Sequence, residues 1–276
     1  MTDAPAGSDG GVDVDALGAL AVHLATEAGA VLQRFRSAID GGKVLDVQTK
    51  GSLTDPVTAA DTASEQRLVD LLRQHRPDDG LLGEEGSDTP GTTGLRWVVD
   101  PLDGTVNYLY GLPAWTVSVA VEQQTADGWE TLAGAVHHPP SGETFRAVRG
   151  AGAWLGPRRL AVNDPVEVPM ALVATGFAYD AGRRAVQAAM IADLLPQVRD
   201  IRRIGSAALD LCRVAVGRVD AYVEDPLRRW DMAAGALIAR EAGAIVTVSP
   251  GADEGAFGIV AAGPALHPEL TALLSG

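Results

Sequence analysis

A single cysteine, few aromatic residues and a shortage of positive charge set the first limits on this chain. Cys212 has no partner for an internal disulfide, which points to a cytoplasmic protein. Lysine and arginine number 22 against 36 aspartates and glutamates, a formal net charge of −14. Such a surface repels phosphate backbones and anionic lipids, and no basic cluster offsets it, so neither nucleic acid nor a membrane is expected as a direct partner. Asp, Glu or Arg breaks every apolar stretch before it reaches bilayer-spanning length. Residues 1–12, "MTDAPAGSDGGV", lack the basic start and apolar run of a secretion signal. They hold too little apolar surface to offset the entropy of ordering, and are expected to form a disordered tail. Internal repeats and low-complexity linkers are also missing.

Apolar side chains, by contrast, are plentiful. They make up 46% of 276 residues, enough to fill one large domain or two smaller ones packed together. Val14, Leu17, Leu20, Leu24, Ala28, Val31, Leu32 and Phe35 recur every three or four residues, the stripe of an amphipathic helix ending before Gly41-Gly42. A second helix is expected from about Thr58 to Arg76, stopped by Pro77. The polar "TKGSLTDPVTAAD" between them reads as a loop. After Gly94 the period shortens: Trp97–Val99, Trp115–Glu122, Thr131–Val136, Glu143–Val148 and Ala153–Leu155 predict a largely antiparallel sheet. From Met170 onward strands and helices alternate in α/β order, with helices near 184–195, 206–216, 230–242 and 268–274. A division near Gly156-Pro157 gives an α+β half, 13–156, and an α/β half, 157–276, that share layers.

Carboxylates gather in four places. In "WVVDPLDGTVNY" an apolar strand runs into Asp100 and Asp103, two like charges that repel at close range unless a cation lies between them. Pro101 tightens that turn so that Asp100, the Leu102 carbonyl and Asp103 converge as hard oxygen ligands of the kind Mg²⁺ prefers. Gly104 lets a phosphate approach the backbone, and Thr105 opens a segment whose N–H groups hold an anion. Glu84 and Glu85 in "LLGEEG" sit in a turn where they could simply be solvated. Asp61 could be no more than the partner of Thr58 in a capping box, and Asp231 no more than a favourable charge at a helix start. Asp100 is harder to dismiss in this way, because a carboxylate ending an apolar strand cannot be left buried and unpaired. A haloacid-dehalogenase type of nucleophilic aspartate is disfavoured by the two residues separating the aspartates and by their distance from the N-terminus.

The combination of "GEEG", "DPLDGTVNY" and "WDMAAGALIAREAGA" resembles the inositol monophosphatase family of lithium-sensitive, magnesium-dependent phosphatases, and the bacterial members that hydrolyse inositol phosphate in particular. "TKGSLTDPVTAAD", "IGSAALDLC" and "DAYVE" extend the resemblance over nearly the whole chain from Val14. It implies a five-layer αβαβα sandwich, a homodimer, and two or three Mg²⁺ ions. Glu84, Asp100 and the Leu102 carbonyl would hold the first ion, Asp100, Asp103 and Asp231 the second, and Glu84 or Asp61 would reach a third through water. The ions, roughly 4 Å apart in two-metal sites, would activate a water and stabilise the leaving alkoxide. Thr105 and Asp61 would position or deprotonate that water with Lys50 nearby, Asp103 would border the substrate, and the Gly104 and Thr105 amides would bind phosphate oxygens. Gly205, Ser206, Ala207 and Glu224 would meet sugar-alcohol hydroxyls.

The resemblance favours inositol 1-phosphate as the small-molecule phosphomonoester. Asp225 beside Glu224 and Arg228-Arg229 before Trp230 keep histidinol phosphate and fructose 1,6-bisphosphate open. A regulatory protein that has kept the fold is the reading from another class, since some bacterial relatives contact transcription machinery. Every carried-over ligand is present, which favours the enzyme. His137-His138 is expected to be a strand end with side chains on opposite faces, and Cys212 a core residue of an apolar helix.

Overall fold

The computed structural model describes residues 12–42, 47–49, 56–251 and 255–275. The expected tail up to residue 11 and residues 50–55, Lys50 among them, lie outside the described residues. Helix α1 (Val14–Asp40) starts at Asp13, whose side chain accepts the Ala16 amide at 3.0 Å, and buries Leu17, Ala21, Leu24, Ala28 and Leu32. Its mean hydropathy of 1.3 over an 18-residue window makes it long and apolar enough to cross a membrane by composition alone, although Asp15, Glu27 and Arg34 interrupt the apolar run as expected. Its apolar face is instead a core face: the helix packs against the first sheet, and each fully buried leucine such as Leu24 or Leu32 contributes about 2 kcal/mol. A short hairpin, β1 (Val47–Thr49) and β2 (Pro56–Thr58), leads into α2 (Ala59–His75).

The first sheet follows: β3 (Gly80–Gly83), β4 (Asp88–Thr89), β5 (Leu95–Asp103), then, after the short helix α3 (Thr105–Leu109), β6 (Thr116–Thr125), β7 (Gly128–His138), β8 (Glu143–Val148), β9 (Gly152–Leu155) and β10 (Arg158–Arg159). Its order is β10-β9-β8-β7-β6-β5-β3-β4. All neighbours are antiparallel except β3 and β5, which run parallel. The strand β3 is not visible in the sequence pattern, because four residues with glycine at both ends are too few to display alternation. The sheet runs past the expected division at Gly156-Pro157, since β10 still pairs with β9.

The second sheet contains β11 (Leu172–Thr175), β12 (Asp200–Arg203), β13 (Ala221–Leu227), β14 (Ile245–Pro250) and β15 (Phe257–Ala262), in the order β12-β11-β13-β15-β14. Helices α4 (Ala181–Leu194), α5 (Ala207–Ala215), α6 (Arg229–Glu241) and α7 (Leu266–Ser275) alternate with these strands. Four apolar cores separate five layers. The first joins α1 and α2 to the eight-stranded sheet and the second joins that sheet to α5 and α6. The third joins α5 and α6 to the five-stranded sheet, and the fourth covers its outer face with α4 and α7. This is the αβαβα sandwich, with α5 and α6 as the central layer that both halves share.

Candidate active site

The turn after β5 is built by a break in strand register. Asp100 pairs with Ser118 of β6 and Asp103 with Thr116, so β5 spends two intervening residues where β6 spends one. Side chains three apart on a regular strand point to opposite faces, and the extra residue brings Asp100 and Asp103 back to one side. Pro101 sits in the break, where no ladder N–H is required. Gly104 follows with φ 97°, and a Cβ there would come within 2.7 Å of the Ala114 carbonyl, so only glycine fits.

Helix α2 brings three side chains to this turn. Asp61 accepts the Thr58 amide at 2.9 Å and the Thr58 hydroxyl at 2.5 Å through one carboxylate oxygen. Its other oxygen lies 3.0 Å from the Thr105 hydroxyl, which is also 3.1 Å from the Leu102 carbonyl. Asp61 is thus a capping-box residue and a site residue at once. Burial lifts it to about 6. Ser64 donates to the Pro101 carbonyl at 2.9 Å, and Glu65 accepts the Glu85 and Ser87 amides at 2.9 and 3.0 Å, fixing the loop that carries Glu84. Glu65 was not among the expected site residues. Its signal was its place one turn beyond Asp61 on the same helix face.

The second half supplies the opposite wall. Asp103 accepts the Ser206 hydroxyl at 2.6 Å and the amides of Ala207 and Ala208 at 3.3 and 2.8 Å, so it caps the start of α5. Burial lifts it to about 6 even so. Asn107 reaches across as well, donating to the carbonyls of Ala114, Ile204 and Gly205 at 2.7, 2.9 and 3.2 Å. Asp231 stands in the first turn of α6 and accepts the Arg228 amide at 2.5 Å. Asp100 and Asp231 are both pushed well up, by burial first and by the neighbouring carboxylates Glu84 and Asp103 after it.

Between the halves lies a cleft of about 330 Å³, lined by Glu84, Asp103, Gly104, Arg203, Glu224 and Asp231 among others. Asp61, Asp100, Leu102 and Thr105 are buried and do not belong to its lining. Gly205, Ser206 and Ala207 line it too, although the Ser206 hydroxyl and Ala207 amide already serve Asp103. Glu224 accepts the Tyr222 hydroxyl at 2.5 Å and is raised to about 7 by burial. Its carboxylate presses on Gly176, where a Cβ would fall 1.9 Å from Oε2. Arg203, stacked over Phe177 with its guanidinium 5.9 Å from the ring centre, brings to the cleft a positive charge that no local motif announces.

Other expectations change here. Asp225 turns away from the cleft toward Gly258 of β15, so it does not stand beside Glu224 as a second acidic contact. Of the two arginines before Trp230, only Arg228 lines the cleft; Arg229 is directed to buried Glu122. His137 packs against Gly29 of α1, whereas His138 bonds to the Pro113 carbonyl at 2.8 Å and to Ser141, on opposite faces as expected. Cys212 is fully buried in α5.

The donor set fits a hard divalent cation. Glu84, Asp100, Asp103, Asp231 and the Leu102 carbonyl offer oxygen only, and the buried carboxylates of Asp100 and Asp103 keep their charge at a cost that a cation would offset. Among the described residues no three acidic or soft groups already close around one point. The oxygens are held by protein donors instead, those of Asp103 by α5 and that of Asp231 by its own helix, which leaves further lone pairs on each.

Residues 13–275 match the model of the inositol monophosphatase family. The chain is 46% identical to the inositol-1-monophosphatase of Mycobacterium leprae over 95% of its length and 94% of the relative's. It is 40% identical to the Nus factor SuhB of Pasteurella multocida, covering 82% and 83% of the two chains. The solved structure of the extragenic suppressor protein suhB from Bartonella henselae superposes with a TM-score of 0.84 at 36% identity, over 94% of this chain and 98% of that one. With the motifs, the layers and the carboxylate cluster in agreement, the chain belongs to the inositol monophosphatase family.

Proposed function

We propose that this protein is a cytoplasmic, Mg²⁺-dependent phosphomonoesterase that hydrolyses inositol 1-phosphate to inositol and phosphate. The observation that carries the reading is the contact between Thr105 and Asp61 at 3.0 Å, next to the turn that carries Asp100 and Asp103 and beside a cleft lined by Glu84, Asp103, Asp231 and Glu224. Divalent ions bound to that cluster supply charge neutralisation for the phosphate dianion and lower the pKa of a water. The chain does the rest. With its hydrogen directed to Asp61, the Thr105 oxygen has lone pairs left to orient the attacking water, and Asp61 is the group to which the proton passes. The Gly104 and Thr105 amides hold phosphate oxygens at a backbone that no Cβ obstructs. Glu224 accepts hydroxyl hydrogens from the ring of the leaving alcohol, steadied by Tyr222 and Gly176. Lys50 is assigned beside the water on the strength of the motif alone.

Two further assignments belong to the same proposal. A homodimer is assigned on the strength of the resemblance, and the second sheet offers two edge strands, β12 and β14, to a second copy. The polyol preference competes with a sugar bisphosphate, which Arg203 and Arg228 in the cleft would favour. Histidinol phosphate loses support because Asp225 faces away. The name Nus factor carried by one relative keeps a regulatory role in view, but all five expected metal ligands are present here. The test is turnover of inositol 1-phosphate, fructose 1,6-bisphosphate and histidinol phosphate in Mg²⁺ and in EDTA, with Asp231→Asn alongside. Highest kcat/KM on inositol 1-phosphate, abolished by EDTA and by the substitution, is expected. Full turnover in EDTA would overturn the metal-dependent reading, and a better rate on either other ester would overturn the substrate.

A further inference from the structure

Glu122 is a carboxylate with no exposed surface that does not line the cleft, and yet it is among the most heavily bonded side chains described. Its neighbours across the strands are Arg96 on β5 and Thr131 on β7. Arg96 donates to Oε2 through Nε at 2.9 Å, with its guanidinium stacked 4.0 Å from the centre of the Trp129 ring. Thr131 donates to Oε1 at 3.2 Å. The third partner comes from the other half of the chain: Arg229 donates to Oε1 through Nε at 2.7 Å and through its terminal nitrogen as well.

Arg229 is the first residue of α6, and Asp231 lies two residues on. The side chains of β6 at 118, 120 and 122 share one face, and Ala120 on that face packs with Ala233, Ala234 and Leu237 of α6. At the end nearest the turn, Ser118, the cross-strand partner of Asp100, donates to the Trp230 carbonyl at 3.3 Å. The first turn of α6 is therefore fixed to β6 at both ends of this row, by a hydrogen bond at Ser118 and by a buried, two-pronged ion pair at Glu122. Strand β5, alongside, carries Asp100 and Asp103. Nε and a terminal nitrogen of Arg229 converge on Oε1, so the Glu122–Arg229 pair ties the backbone of residues 229–231 to β6 and hence to the acidic turn beside it.

We propose that Glu122 and Arg229 are positioning residues that hold Asp231 in register with Asp100 and Asp103, and thereby set the affinity of the ion assigned to those three carboxylates. This rests on the metal-dependent reading above. Arg229 touches no reacting group; it acts through the first turn of α6. The pair is separable from folding because Glu122 keeps Arg96 and Thr131 when Arg229 is lost, so no buried charge is left bare.

The experiment is calorimetric uptake of Mn²⁺ by the metal-stripped full-length protein, wild type against Arg229→Met, with Arg229→Lys as a milder variant that keeps charge and stem. Arg149→Met, which removes an exposed arginine paired with Glu130 on the first sheet, controls for net charge. Loss of support around a metal ligand commonly weakens binding about 10-fold or more. We expect about a 10-fold weaker affinity in Arg229→Met, a smaller loss in Arg229→Lys and none in Arg149→Met. The Mg²⁺ concentration for half-maximal activity should rise by the same factor while kcat at saturating Mg²⁺ stays within about twofold. Wild-type affinity in Arg229→Met, whether or not its Tm falls, would overturn the proposal and leave the metal reading standing. A wild-type protein that takes up no divalent ion would overturn both.

Discussion

Removing divalent ions should make the stability of this fold depend on pH in a direction opposite to ordinary acid denaturation. The perturbation is EDTA against saturating Mg²⁺, followed by thermal unfolding from pH 4.5 to 8. Asp103 is lifted from 3.8 to about 6, chiefly by burial. A carboxyl whose pKa is raised on folding favours the folded state at acid pH and loses that contribution as pH rises through the folded value. For Asp103 the shift of about 2 units corresponds to about 3 kcal/mol at 1.36 kcal/mol per unit, of which about 2 kcal/mol falls between pH 4.5 and 8. Asp61, also lifted to about 6, acts in the same sense, as do Asp100 and Asp231, both raised by burial and the neighbouring carboxylates. Their effects overlap, so one carboxyl sets a lower bound. At about 2–4 °C per kcal/mol for a chain of this size, the Tm gap between Mg²⁺ and EDTA should widen by about 5 °C or more over that range. The gap isolates the cluster, because groups elsewhere such as Glu143, held down by Arg218, contribute equally to both conditions. A gap that stays level or narrows as pH rises would refute the reasoning.

Thr105→Ala and Asp61→Asn should each lower kcat severely, and the double variant should be little worse than the worse single one, as for residues acting as a unit; strict additivity in steady-state rates would separate their roles. Because Thr58 caps α2, Thr58→Ala should lower stability by about 1 kcal/mol, seen as a shifted urea midpoint, while Thr105→Ala should not lose that cap. Glu224→Gln should cost about 1–3 kcal/mol in kcat/KM on inositol 1-phosphate and spare a simple aryl phosphate, since only the polyol bonds to the carboxylate. Asp225→Asn, by contrast, should leave all substrates unchanged, and a selective loss on histidinol phosphate would return Asp225 to the cleft.

The elements that position the site were legible where they are long and amphipathic. The stripe on α1, the Thr58 start of α2 and the apolar run into Asp100 each have enough residues for period and boundary to show. The gathering of carboxylates was legible because Asp100, Asp103 and Asp231 violate the pattern around them, ending a strand or opening an apolar helix with charge. What stayed hidden has a common cause. Arg203, Asn107 and the direction of Arg229 are set by how the two halves dock, and no local spacing encodes a contact such as that between Asn107 and Ile204, 97 residues apart. Asp225 misled because adjacency in sequence was read as adjacency in the cleft, whereas successive strand residues alternate between faces. Glu65 could have been found, as it shares a helix face with Asp61.

The docking of the halves also explains how a net charge of −14 can tolerate so many buried carboxylates in one place. Three helices of eight or more residues start here. The first turn of α2 presents Thr58 to Asp61, the start of α5 presents the amides of Ala207 and Ala208 to Asp103, and the start of α6 presents the Arg228 amide to Asp231. Each N-terminus carries about half a positive charge and unpaired donors. Acting alone these hold the carboxylates in place without neutralising them, since burial still lifts Asp61 and Asp103 to about 6. The helices therefore organise the cluster and leave it short of positive charge, a deficit that divalent cations would fill. Because α5 and α6 belong to the layer shared by both sheets, such a cation would tie the two halves together as well as equip the cleft, and its loss should loosen α5 and α6 before the outer helices α1 and α2.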